Sequence, residues 1–541
     1  MKTCRTLFGT AAAIGIASTL AVFVAASSVA PSVARAAAPK TDELVVALAT
    51  PITSLDPHFH NLTPNSGLGK HVFENLIKTD ESQSLKPGLA ESWKALDDTT
   101  WEFKLRKGVR FHDGSPFTAD DVIATFRRVP QVPNSPASFA IFTKAVTELK
   151  AQDPHTLIMK TAVPHPLLPR DMTGVQIISA KQEKATTDDF NSGRAMNGTG
   201  PYRYAEYKPG DRVVLARHDD YYGAKPAWKR IQFRMISNSA ARVAALLAGD
   251  VQLIENVPTS DAARLAKDAS LTLRSAVSNR LIYLHMDSNR EKDSPFVKAK
   301  DGGALPKNPL KDARVRKAIS LALNRDAIVD RVMEKQAVPA GQFLEKSFFG
   351  TSKNLSPDKY DPAGAKKLLA EAGYPDGFQI TLHTPNNRYV NDEKIAQAVA
   401  QFLTRVGIDT KVEAMPSSVF FSRASKLEFS LLLAGWGSET GDTSSPLRAL
   451  VATYDKDKGM GGANRGRFSS AGLDAMIASA LVQVDDTKRG MLLAAASEKA
   501  MAEQALVPVH YEVSVWAMKK GYEYVARADQ YTLAYEVTPG K

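Results

Sequence analysis

Four side chains that follow two apolar runs have the types needed to hold a small charged solute. Arg388 sits in HTPNNRYVND, directly after FQITLH at 378–383; Trp436, Glu439 and Asp442 sit in GWGSETGDTSS, after FSLLLAG at 429–435. A guanidinium offers a donor fork to a carboxylate, a carboxylate takes an ammonium, and an indole supplies apolar area. Together they describe a site for a zwitterion such as a short peptide. Each has a plainer reading beside it. Arg388 and Glu439 could be solvated loop charges or pair with one another, Trp436 could belong to a core, and Asp442 could serve the turn Thr-Gly-Asp-Thr-Ser.

The elements that must position these residues alternate regularly. A strand at 378–383 is followed by a helix at 392–406 with Ile395, Val399 and Phe402 inward. A strand at 408–414, a short helix near Ser417 and a strand at 429–435 complete the series. This βαβαβ order predicts a parallel sheet covered on both faces, and solutes bind such sheets beyond the carboxyl ends of the strands. Elsewhere, 44–49 and 281–286 are apolar enough for buried strands. Helices are expected at 240–248, ended by Gly249, and at 313–323, with Asn324 capping the next. Asp361-Pro362 opens a further helix that Gly373 closes, and a helix at 487–504 precedes a strand at 506–516. Trp101, Phe103 and Leu105 alternate with Glu102, Lys104 and Arg106 as in a half-buried strand, and the alternation resumes at Val109 and Phe111. Thr118 stands as N-cap of a helix with Asp120 and Asp121 in its first turn.

A chain of 541 residues, 44% of them apolar, can bury cores for at least two domains. Its formal charge of +11 is scattered and not gathered into a stripe with stacking aromatics, so nucleic acid is not an expected partner. Residues 1–36 read as a cleaved signal peptide: a basic start, an apolar run, then Ala34-Arg35-Ala36. An uncleaved membrane anchor is the other reading of that segment. Cys4, the single cysteine, precedes the run, so a mature chain without cysteine and without a lipid anchor is expected. Other constellations are weak. His58, His60 and His71 lack a carboxylate or thiolate at ligand spacing, so no metal or cofactor is expected. His112-Asp113-Gly114-Ser115 holds the letters of a catalytic triad, but consecutive turn residues cannot form the relay. No Walker A loop, G-x-S-x-G, H-E-x-x-H or C-x-x-C occurs.

The string A-E-S-W followed by W-x-F-x-L-R-x-G-V-x-F-H-D-G-x-P-F-T-A-x-D-V, between 90 and 122, resembles the signature of the family 5 extracellular solute-binding proteins, the peptide, dipeptide and nickel-type receptors of ABC importers. Ser54-Leu55-Asp56-Pro57, GTGPYRY at 198–204, DARVRKAISLALNRD at 312–326 and YDPAGAKKLLAEAGYPDG at 360–377 are similar to landmarks in the same order. The resemblance implies an α/β, two-lobed periplasmic binding protein of class II, cluster C type, with an extra subdomain in lobe one. Lobe one would comprise 37–72, 191–284 and 506–541, the subdomain 73–190, and lobe two 285–505. It further implies a monomer in the periplasm that closes on a solute and delivers it to membrane permease subunits. It places Arg388 and Glu439 at the positions that clamp a dipeptide's carboxylate and amine. A nickel or metallophore receptor of the same family and a secreted α/β hydrolase are the alternatives.

Overall fold

The computed structural model describes residues 42–540, and the expected signal segment, with Cys4, lies outside the described residues. A twelve-stranded mixed sheet runs through the chain. At one end Glu43–Leu48 lies parallel to Arg230–Met235 and to Leu253–Ile254, with Arg212–Arg217 and Tyr202–Lys208 added antiparallel. At the other, Phe378–Pro385 runs parallel to Ile408–Met415 and to Leu431–Gly437, the βαβαβ unit expected from the alternation. Helices Asp392–Arg405 and Ser417–Ser425 make its crossovers, and Ile395, Val399 and Leu403 of the first are fully buried against the sheet.

Two long antiparallel strands, Leu271–Met286 and Val507–Lys519, join the ends of the sheet. Pairing is regular from Leu271 to Val277 and resumes at Leu281. Between Val277↔Val513 and Leu281↔Tyr511 three residues, Ser278, Asn279 and Arg280, oppose Glu512 alone. A bulge of this kind breaks the ladder and bends the strand. It interrupts the backbone pairing of the two strands that join the ends of the sheet, and a second register shift follows between Ile282 and Tyr283.

Apart from this sheet, Ala90–Ala95, Thr100–Leu105, Thr156–Thr161 and Val146–Asp153 form a four-stranded antiparallel sheet. Helix Ala119–Arg128 packs on it around Phe103, Phe111, Phe117 and Val122, a core of its own. A capping box fixes that helix: the Asp121 carboxylate accepts from the Thr118 N–H at 2.8 Å. The alternation at Val109 and Phe111 does not make a strand. Both side chains are buried, but the backbone folds back, Phe111 N–H donating to Ser115 O and Phe117 N–H to Val109 O. Here burial alone accounts for the apolar pattern.

Several helix ends follow their local signals. Gly249 takes the left-handed conformation at φ 87° after Ser239–Ala248, and Asp361 accepts from Gly364 N–H ahead of Pro362–Glu371.

Candidate functional site

Leu431–Gly437 ends in a turn that presents three successive carbonyls, those of Ser438, Glu439 and Thr440. Inside the turn, Gly441 N–H donates to Ser438 O at 2.9 Å, and Ser438 Oγ donates to Asp442 O at 3.0 Å. Gly441 has φ 62°, and a Cβ there would sit 3.0 Å from Gln83 Cβ, so both conformation and space call for glycine. Side chains distant in sequence hold the three carbonyls. Asn279 of the bulge donates to Ser438 O at 2.8 Å, Gln83 to Glu439 O at 2.8 Å, and Arg170 to Thr440 O at 2.7 Å. Gln83 Oε1 also accepts from Asn279 at 3.0 Å. The loop is thus fixed by side chains distant in sequence that bond its backbone, and none of these bonds uses the Glu439 side chain.

Glu439, Thr440, Gln83, Arg170, Lys70 and Gln176 line one small cavity that opens partly to solvent. Among the described residues the Glu439 carboxylate has no cationic partner within 4.0 Å. Loss of bulk water raises its pKa above the usual carboxylate value, while Asn61 and the charge of Arg280 pull the other way. Arg388 lies outside this lining. Its guanidinium covers the Tyr389 ring at 5.3 Å, more than a third of the residue is exposed, and it forms no ion pair with Glu439. Partial burial first, and then the neighbouring Arg280, lower its pKa from the ordinary arginine value. Its loop is held by Asp392, which accepts from the Arg388 and Tyr389 N–H groups at 2.9 and 3.1 Å. The Tyr389 hydroxyl donates to Gly435 O at 3.0 Å, so the two candidate loops are tied together.

Arg280 bears on both candidates and carries no motif. It rises from the bulge, pairs with Glu512 at 3.2 Å and donates to Gln530 at 3.1 Å. It packs on Gly437, where a Cβ would meet its guanidinium at 3.2 Å. Its charge is felt at both Arg388 and Glu439, so it lies between them electrostatically.

Trp436 is half-buried at the margin of the core that holds Leu281, Met415 and Leu447, and its indole N–H donates to Ser445 Oγ at 3.1 Å. Asp442 must be corrected. It is fully buried, Oδ1 accepts from Ser444 N–H at 2.9 Å, and Oδ2 meets Arg489 at 2.7 Å and Arg170 at 3.3 Å. Phe349 lies beneath both guanidinium groups, 4.4 Å from Arg489 and 5.2 Å from Arg170. With both oxygens taken and no surface open, Asp442 organises the loop and does not reach a solute.

His58, His60, His71 and His112 are locally satisfied. His58 faces Gln176 O at 2.7 Å and Arg128 at 2.8 Å, His60 faces Thr53 at 3.0 Å, and His71 faces Gly67 O at 2.9 Å. His112 contacts Gly200 O at 3.0 Å, while Asp113 accepts from Lys181 at 2.8 Å. Ser115 Oγ also donates to Asp113 Oδ1 at 2.5 Å, while His112 bonds neither of them, so the three do not form a nucleophile-base-orienter relay.

The chain matches the model of the bacterial extracellular solute-binding proteins, family 5, over residues 84–458. It belongs to that family. A curated relative, the glutathione-binding protein GsiB of Salmonella choleraesuis, is 27% identical over 523 residues, 94% of each chain. The GsiB protein of Escherichia coli O1:K1 / APEC is 28% identical over 492 residues, covering 88% of this chain and 90% of its own. Among solved structures, the periplasmic binding protein DppA of Helicobacter pylori in complex with peptide STSA superposes with a TM-score of 0.74 at 22% identity, covering 92% of this chain and 98% of its own. HbpA2 of Haemophilus parasuis gives 0.79 at 22% identity, covering 92% and 100%. The fold of this family 5 protein is accordingly the two-lobed α/β architecture, and its role is to bind a solute.

Proposed function

We propose that the protein captures a small zwitterion, a short peptide or a similar molecule, in the cleft beside Glu439 and hands it to the permease of an ABC importer. The observation that carries this reading is the Glu439 carboxylate, unpaired among the described residues and facing a cavity to which distant segments contribute. The residue is exposed at the mouth of the cavity, so its carboxylate can meet a ligand ammonium, and a cleft closed over the pair would withdraw both charges from water. Arg388 and Arg280, along the same loop edge, would receive the solute carboxylate, and Trp436 would flank it. The lobes are proposed as 37–72 with 191–284 and 506–541, and 285–505, the subdomain as 73–190, and the bulge at Ser278–Arg280 as their hinge. A cleaved signal peptide over residues 1–36 would deliver a monomer to the periplasm. The names of relatives support the solute class: GsiB is called glutathione-binding, and the DppA structure holds a peptide.

The test is mass spectrometry of solute released by denaturing protein purified from the periplasm. A released molecule with both an amine and a carboxylate is expected. Release of a nickel chelate instead would move the assignment to the metallophore receptors.

A further inference from the structure

The cavity beside Glu439 contains a cation that the zwitterion reading does not use. Lys70 lies in the last turn of helix Thr63–Val72, where seven of ten residues are buried. Its ammonium donates to Thr173 O at 3.2 Å, touches Asn75 Oδ1 at 3.4 Å and stands 5.3 Å from the centre of the Tyr531 ring. Among the described residues no carboxylate lies within 4.0 Å of it. The other charges of the cavity are committed. Asp529 is bound by both arms of Arg527, at 3.0 and 2.7 Å, and Arg170 is engaged by Asp442 and Thr440 O.

Two polar atoms of the same lining also lack partners. Gln176 is 1% exposed, and its Oε1 has none, although its amide N–H donates to Ser66 O at 2.9 Å; Thr440 Oγ1 is likewise buried and unpartnered. Lining side chains that hold hydrogen-bonding capacity in reserve are what a polar ligand group completes.

We propose that Lys70 forms a subsite for a second anionic group of the solute, a side-chain carboxylate carried by a peptide whose amine Glu439 holds. The Thr440 hydroxyl donates to the same carboxylate, and Gln176 Oε1 accepts a solute N–H. This rests on the zwitterion reading and narrows it to acidic peptides. The state of Lys70 agrees with an ammonium that lacks a counter-ion: burial lowers its pKa to about 8, Arg527 and Lys78 push the same way, and Asp529 and Glu536 oppose. At neutral pH it is still charged, and a bound carboxylate would stabilise that charge.

Calorimetry with three matched pairs of tripeptides tests the subsite: Glu-Ala-Ala against Gln-Ala-Ala, Ala-Glu-Ala against Ala-Gln-Ala, and Ala-Ala-Glu against Ala-Ala-Gln. Wild type should bind the glutamyl member of at least one pair about tenfold or more tightly. Lys70→Met and Lys70→Gln should bring that member to within about threefold of its partner, while Lys70→Arg keeps the preference. An undiminished preference in both neutral variants, or equal binding of every pair by wild type, overturns the subsite and leaves the zwitterion reading standing. Binding of none of the six peptides by wild type overturns both. Two neutral variants of different shape separate loss of the charge from altered packing against Tyr531.

Discussion

Glu439 and Asp442 are two acids three positions apart in one loop, and their surroundings give them opposite duties. Glu439 faces the cavity with no cation within 4.0 Å among the described residues, whereas Asp442 is enclosed by Arg489, Arg170 and Ser444. Removing a charge from a buried pair strands its partner, at a cost on the order of 3 to 5 kcal/mol. Asp442→Asn should therefore lower the melting temperature of the unliganded protein, because Arg489 is 2% exposed and keeps only the solvent-exposed Asp486 as a counter-charge. Glu439→Gln should leave that temperature unchanged and weaken binding of a tripeptide by roughly a hundredfold. Arg388→Ala should also weaken binding, by about fivefold or less, since the residue is open to water and Arg280 stays beside it. Thermal melts and calorimetry on the three variants separate these roles. Binding of a tripeptide by Glu439→Gln within about threefold of wild type would remove that residue from the site.

At the scale of elements, the loop Ser438–Asp442 is steadied by side chains from elsewhere in the chain. Arg170 contributes two contacts, to Thr440 O and to Asp442. Charge-assisted hydrogen bonds contribute about 1.5 to 3 kcal/mol, and Asp442 keeps Arg489 when Arg170 is removed. Arg170→Ala is thus expected to weaken solute binding roughly tenfold or more and to enlarge the radius of gyration in solution, with little change in melting temperature. An unaltered radius and affinity would show that Arg170 does not fasten the lobes. These contacts were also the least legible part of the molecule. The βαβαβ unit, the Thr118 and Asp361 caps and the Gly249 terminus could be read because their signals are local: period, cap and turn chemistry. Glu439 could be found because it follows an apolar strand. Lys70, Gln83, Arg170 and Arg280 could not, since each acts through a partner far away in sequence. Arg280 ends LTLRSAVSNR, a stretch too polar to announce the first half of the long strand Leu271–Met286. Asp442 was misassigned for a related reason: nothing near it in sequence shows that Arg489 will close over it.

For the whole molecule, buried histidines set a pH dependence of stability. His71 is held at about 4, and His285 and His510 at about 3, in each case chiefly by loss of water. Unfolded, they titrate near 6.5. Their contribution is fully present above about 6.5 and is lost as pH falls toward 4 to 3, because the unfolded chain takes up protons there that the folded chain refuses. Buried acids with raised pKa, such as Glu255 and Glu512, act in the opposite direction. A single substitution isolates the histidine part. His510 is fully buried with both ring nitrogens unpartnered, so His510→Phe should lose less of its urea midpoint than wild type between pH 7 and pH 4. Equal losses would contradict this. The central claim, that the protein closes its cleft on a small zwitterion, is tested most directly by native mass spectrometry of the purified protein mixed with an equimolar tripeptide library. A one-to-one adduct with the mass of a tripeptide, lost in Glu439→Gln, is expected; a wild-type protein that keeps its ligand-free mass throughout the library would contradict the account.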